Sequence, residues 1–137
     1  MDIQIIRLVF DSGLLVLIWL VQLVVYPSFL YYEKQNLLIW HKKYTAGISM
    51  IVMPLMFGQL IIASMQCIQL ATAQNIINLI LVMAVWIITF LQFVPIHNKI
   101  TQNLASESLL KRLVKRNWWR TILWTLIFCW SIFSHLH

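Results

Sequence analysis

A bundle of α-helices crossing a lipid bilayer four times is the fold class this sequence predicts, and three observations predict it. Of 137 residues, 61% are hydrophobic and only 10% charged, whereas a soluble domain carries about 25% charged residues to keep its surface wetted. The mean hydropathy of +0.83 points the same way. The apolar residues also fall into four runs, each close to the ~20 residues a helix needs to cross a ~30 Å hydrocarbon core. Those runs are continuous rather than alternating, which excludes the strands of a membrane barrel. A chain of this length holds one domain.

The first span runs from about Leu8 to Leu30. Arg7 precedes it and Asp11 interrupts it, but no small-residue cleavage site follows a short apolar core, so the segment reads as a retained helix. Asp11 is expected near the outer surface, paired with Arg7 one turn earlier in a structural role. The second span runs from about Tyr44 to Ile68 and contains Pro54, which should kink it locally. The third runs from about Asn75 to Pro95, and the fourth from about Asn117 to Ser134. Between the last two, Leu109, Leu110, Leu113 and Val114 alternate with Lys111, Arg112, Lys115 and Arg116 at helical spacing. That pattern predicts a short helix at headgroup level, with Trp118 and Trp119 at the same interface.

Orientation follows from the cations. The first connection carries Lys34, Lys42 and Lys43, and the third carries Lys99, Lys111, Arg112, Lys115 and Arg116; the second connection and the C-terminal tail carry none. Eight against none places the basic connections in the cytoplasm and both termini outside. The formal charge of +6 is thereby explained as topology and lipid-headgroup contact, and nucleic-acid binding is set aside. Cys67 and Cys129 lie in apolar helices without a C-x-x-C spacing, so they read as small hydrophobes.

Polar side chains within a bilayer are costly and turn toward the bundle interior. On helical spacing, Gln22 and Tyr26 share a face, as do His41, Thr45 and Gln59. Trp86, Thr89, Phe93 and His97 form a third stripe, and Asn117, Arg120, Thr121 and Trp124 a fourth. The topology brings Tyr26, His41, Tyr44, His97, Asn98, Asn117 and Arg120 to one depth at the cytoplasmic end, where they predict a ligand pocket. The opposite end offers mainly Ser64, Asn75, Asn78 and Ser134, with no such concentration, and Gln59 is placed far from the pocket. His135 and His137 are also expected on that opposite side.

The strings VYPSF at 25–29, WHKKYT at 40–45, VPIHNKI at 94–100 and LVKRNWWRT at 113–121, followed by Trp124, resemble a group of small bacterial four-helix membrane proteins. More distantly, the layout is similar to the anthrone-oxygenase-like family, mainly through the Pro-Ile-His-Asn segment and the Trp/Arg run. The nearer resemblance implies a bacterial inner membrane and singles out Tyr26, Pro27, His41, Pro95, His97, Asn117, Trp118, Arg120, Thr121 and Trp124. The more distant one implies oxidation of an aromatic polyketide by dioxygen.

Three functions compete. The first is an oxidoreductase or oxygenase acting on a lipophilic aromatic or quinone-like molecule. In it, His41 or His97 is the general base, because imidazole titrates near neutrality. Arg120 and Asn117 hold a developing oxyanion, and Trp86 and Trp124 flank the ring. Gln22, Tyr26, Tyr44, Thr45, Asn98 and Thr121 complete the expected ligand contacts. The second is a haem- or copper-binding protein using His41 and His97 as ligands. The third is a non-catalytic subunit or assembly factor, whose polar stripe pairs with another helix or with a second copy of the chain.

Overall fold

The computed structural model describes residues 2–136, so His137 lies outside the described residues. It is all-α, with four helices and no strand among the described residues. Helix α1 spans Ile3–Tyr31, α2 Lys34–Gln69, α3 Ala73–Thr101 and α4 Glu107–Leu136. The first three are long and apolar enough to cross a membrane. Large side chains such as Val16, Leu23, Met50, Ile80 and Leu91 stand exposed around the outside, as lipid contact requires and water contact penalises.

Each helix packs against two others, α1 on α2 and α4, and α3 on α2 and α4, which makes an up-down-up-down bundle. Gln4 meets the His135 ring at 3.2 Å, and Trp130 Nε1 donates to the Gln74 carbonyl at 3.0 Å. Both termini and the α2–α3 connection therefore share one end of the bundle, the terminal end. The other two connections meet at the loop end, where Phe29, Leu30 and Tyr32 face Ala105, Ser106 and Leu110 across a cleft.

Every helix is longer than its apolar run. Helix α2 begins ten residues before the expected span, so Lys34, Lys42 and Lys43 lie on its first turns rather than in a loop. Its 36 residues extend about 54 Å at 1.5 Å per residue, well beyond the ~30 Å hydrocarbon core. Likewise, the expected interfacial helix is not separate. It is the first part of α4, which runs unbroken for 30 residues from Glu107. No Gly or Pro falls between them to end a helix, and Ser106 starts it by accepting the Leu109 N–H at 3.2 Å.

Two prolines leave a sharper mark. Pro27 and Pro95 have no N–H to give to the carbonyl four residues back, and a five-residue π-helical turn precedes each, Val21–Val25 and Thr89–Phe93. There the Tyr26 N–H bonds to the Val21 carbonyl and the Val94 N–H to the Thr89 carbonyl, one residue further back than in an α-helix. Each wide turn inserts an extra residue and rotates the rest of its helix by about 100°. Pro54, by contrast, is accommodated within a continuous α2.

The core has two parts. One sits at the loop end around Tyr26, Phe29, Leu37, Phe93, Ile100 and Leu113. The other fills the middle around Leu14, Ile18, Met56, Val82, Val85, Trp124 and Ile127. Helices α1 and α2 approach closely at Gly58, where an added β-carbon would overlap the Phe10 ring. Overpacking of this kind costs about 1–3 kcal/mol. Gly58→Ala should therefore lower stability by about 1–2 kcal/mol, measured by chemical unfolding in detergent. In a Phe10→Ala background the further loss on Gly58→Ala should largely vanish, whereas additive losses would mean the helices do not meet there.

Candidate functional site

At the loop end the two π turns aim Tyr26 and His97 at each other from α1 and α3, and α2 supplies His41. The Tyr26 hydroxyl lies 3.0 Å from His97 Nε2, His97 Nδ1 lies 2.8 Å from His41 Nε2, and His41 Nδ1 lies 3.4 Å from the Thr101 hydroxyl. The two imidazoles stack with centroids 5.0 Å apart. Tyr26 and His41 are buried, while Thr101 is exposed.

Counting donors and acceptors gives this chain a direction. The Thr101 hydroxyl donates to the His97 carbonyl oxygen at 3.0 Å, which can only accept. Its oxygen must then accept from His41 Nδ1–H. A neutral imidazole carries one proton, so His41 Nε2 accepts from His97 Nδ1–H, and His97 Nε2 accepts from the Tyr26 hydroxyl. Four hydrogen bonds thus run one way, from Tyr26 through both histidines to Thr101 and back to the α3 backbone. The Tyr26 oxygen keeps its lone pairs for its other neighbours, Arg120 and Tyr44.

Arg120 enters from α4. Its guanidinium lies 4.3 Å above the Phe93 ring and 5.1 Å from the Trp124 ring, two cation–π contacts that hold a charge in apolar surroundings. It is only 6% exposed, yet its Nε has no hydrogen-bond partner. The Thr89 hydroxyl is likewise buried without a partner. Both residues line a cleft of about 240 Å³ between α1, α2 and α3. Tyr26, Tyr44, Thr45, His97, Asn98 and Arg120 form its polar end, and Ile18, Val21, Ile48, Val52, Met53 and Met56 its apolar end. Ser49 and Val94, on the rim, are exposed, so the cleft opens sideways between α2 and α3.

Other expected site residues stand elsewhere. Gln22, Asn117 and Thr121 do not line the cleft. Asn117 Nδ2 donates to Gln22 Oε1 at 2.9 Å, Thr121 donates to the same oxygen at 3.3 Å, and Gln22 Nε2 donates to the Val114 carbonyl at 3.2 Å. They clamp α1 to α4. Trp124 is fully buried beneath Arg120. Trp86 packs between Phe57 and Phe90 and does not reach the cleft. The expected stripe Trp86–Phe93–His97 assumed an unbroken 3.6-residue period, and the π turn at Thr89–Phe93 breaks it.

Sequence reasoning also missed a second polar concentration, toward the terminal end. Arg7, Asp11, Gln59, Gln66, Asn78 and Ser131 are all buried. The expected Arg7–Asp11 pair is present, with Nε 3.5 Å from Oδ2 and both side chains buried in the bundle. Gln59 Nε2 donates to Asp11 Oδ1 at 2.6 Å, and Trp124 Nε1 donates to Gln59 Oε1 at 3.3 Å. Gln59 therefore joins the ion pair to the ring beneath Arg120, and is not remote from the site. The missed signal was the pairing of Asp11 with a Gln at matching depth on the adjacent antiparallel helix.

The two histidines do not suit a metal. Each of their four nitrogens is engaged by a protein group or by the other ring. The facing nitrogens are 2.8 Å apart, short for axial ligation, which places two bonds of about 2.0–2.1 Å on opposite sides of one ion. Among the described residues, no cluster of three or more His, Cys, Asp or Glu side chains could hold a metal ion. The dyad suits a shared proton instead.

Comparison with known proteins adds nothing to this geometry: no family model, curated protein or solved structure matches the chain.

Two outcomes test the site as built. Nitrogen NMR of the imidazoles should find His41 and His97 both protonated at Nδ1, and Thr101→Val should perturb His41 more than His97. An Nε2-protonated His97 would reverse the chain. Gln59→Leu strands the Asp11 carboxylate and the Trp124 N–H. At about 1–3 kcal/mol for each orphaned group, thermal unfolding should show it as damaging as His41→Ala.

Proposed function

We propose that the cleft binds a lipophilic aromatic molecule with an acidic hydroxyl, a hydroquinone-like or anthrone-like compound, and removes its proton. The observation that carries this reading is the directed chain from Tyr26 to Thr101, with the unpartnered Nε of Arg120 beside its origin.

In one concerted shift, the ligand hydroxyl gives its proton to the Tyr26 oxygen and the Tyr26 proton passes to His97 Nε2. The His97 Nδ1 proton then passes to His41 Nε2. Three O–H or N–H bonds break and three form. His41 ends doubly protonated, bonded onward to Thr101 at the exposed end of the chain. The ligand is left as an anion beside the Arg120 guanidinium, which strengthens its hold as charge develops. General acid–base groups placed this way contribute about 10²–10⁴-fold in rate. The resulting aromatic anion is the electron-rich form that dioxygen oxidises, which is the reaction class the anthrone-oxygenase-like resemblance implies.

The same reading extends to the membrane. Helix α4 is the fourth span, its Trp-rich segment from Asn117 to Ser134 completing the bundle. The loop end carries Lys34, Lys42, Lys43, Lys99, Lys111, Arg112, Lys115 and Arg116 and lies in the cytoplasm, with both termini outside. The cleft then opens into the cytoplasmic leaflet, from which a lipophilic ligand enters without crossing water.

The test is a lipophilic naphthol whose anion absorbs at longer wavelength than its neutral form, titrated into protein in mild detergent. The wild-type chain should show the anion band at neutral pH. Tyr26→Phe and Arg120→Met should each reduce that band at least tenfold, and Trp86→Phe should leave it unchanged. An anion band that survives Tyr26→Phe, or no binding by a protein that retains its helical spectrum, would remove this assignment.

A further inference from the structure

Helix α4 is two-faced where it leaves the loop end. Asn117 and Arg120 turn inward and are buried, while Lys111, Arg112, Lys115, Arg116 and Trp119 turn outward and line a surface groove of about 420 Å³. Like charges at i,i+4 repel, and Lys111–Lys115 and Arg112–Arg116 are two such pairs. Among the described residues, a counter-charge reaches only one of these cations. Lys111 bonds Glu107 at 2.6 Å and thereby holds its carboxyl below the ordinary range.

The remaining carboxylates are accounted for. The chain has four acidic residues. Asp2 caps the start of α1 at the terminal end, Asp11 is buried against Arg7, and Glu33 precedes α2 outside the groove. Among the described residues, Arg112, Lys115 and Arg116 therefore have no acidic partner. Their donors are open to an anion from outside the chain.

The surface beyond the groove specifies what kind of anion. Trp119 is 63% exposed, and the same side of α4 continues through Ile122 and Leu126, both exposed. A cationic groove leading into an apolar strip on one helix is complementary to an amphiphile, with an anionic head and a hydrocarbon tail lying along the helix. A soluble phosphate would use the first half only, and a nucleic acid would find no place for the strip. We infer that this groove holds an anionic phospholipid, its phosphate on Arg112, Lys115 and Arg116 and an acyl chain against Trp119, Ile122 and Leu126. This site is separate from the cleft, which lies between α1, α2 and α3 and shares no lining residue with the groove.

Native mass spectrometry of delipidated full-length protein in detergent tests it, with phosphatidylglycerol, phosphatidylcholine or inorganic phosphate added. The wild-type chain should retain one phosphatidylglycerol at least tenfold more tightly than phosphatidylcholine, and millimolar phosphate should not displace it. The triple variant R112Q/K115Q/R116Q should lose that preference, and the charge-conserving R112K/R116K should keep most of it, which separates lost charge from lost fold. Equal binding of the two lipids, displacement by free phosphate, or an undiminished preference in the triple variant would each overturn the assignment.

Discussion

Pro27 and Pro95 set the architecture of the loop end. Each withholds one backbone donor, and a wide turn of the same kind precedes it in α1 and in α3. That turn rotates the helix segments beyond it, so Tyr26 on one and His97 on the other point at each other. With an unbroken α-helical period, residues on the faces of Gln22 and Trp86 would continue toward those positions, and the chain from Tyr26 to Thr101 would not close. The hydrogen-bonded dyad, the cleft and the lateral opening all follow from two missing N–H groups.

Sequence pattern sufficed for what depends on local chemistry. The apolar runs located the helices. On α4, where nothing disturbs the period, the stripe Asn117, Arg120, Thr121 and Trp124 is buried as a unit. On α2, His41 and Gln59 both face inward despite Pro54. The run lengths misled at their ends, because a helix does not stop where its apolar residues do: Lys34 to Lys43 on α2 and Glu107 to Arg116 on α4 are helical and polar together. The placement of Trp86 away from the cleft was not recoverable from spacing, since a π turn changes the period without changing the composition. Nor was the bond between Gln59 and Asp11, which depends on the register of two helices.

Buried polarity in this protein is distributed in three layers with different tasks. Gln22, Asn117 and Thr121 bond one another and tie α1 to α4, with Asn117 Oδ1 left without a partner. Arg7, Asp11 and Gln59 satisfy one another less completely, with the guanidinium Nε and Nη2 left without hydrogen-bond partners. In the layer around Arg120 the guanidinium Nε is unpartnered, and the side chain lines a cavity of about 240 Å³. Side chains bonded across helices hold the bundle together, whereas a buried side chain with an unpartnered donor in the lining of a cavity is placed to take a ligand.

Two of these layers touch through a single side chain. Trp124 bonds Gln59 at its nitrogen and lies against Arg120 with its ring. Contacts thus reach from the ion pair toward Arg120, by hydrogen bonds as far as Trp124 and by its ring beyond. An indole has a donor and no acceptor, so a hydrogen ion arriving on either side has nowhere to land. Trp124 is a mechanical strut and an insulator at once. It lets a small bundle keep ionisable groups along nearly its whole length without becoming a leak in the membrane that contains it.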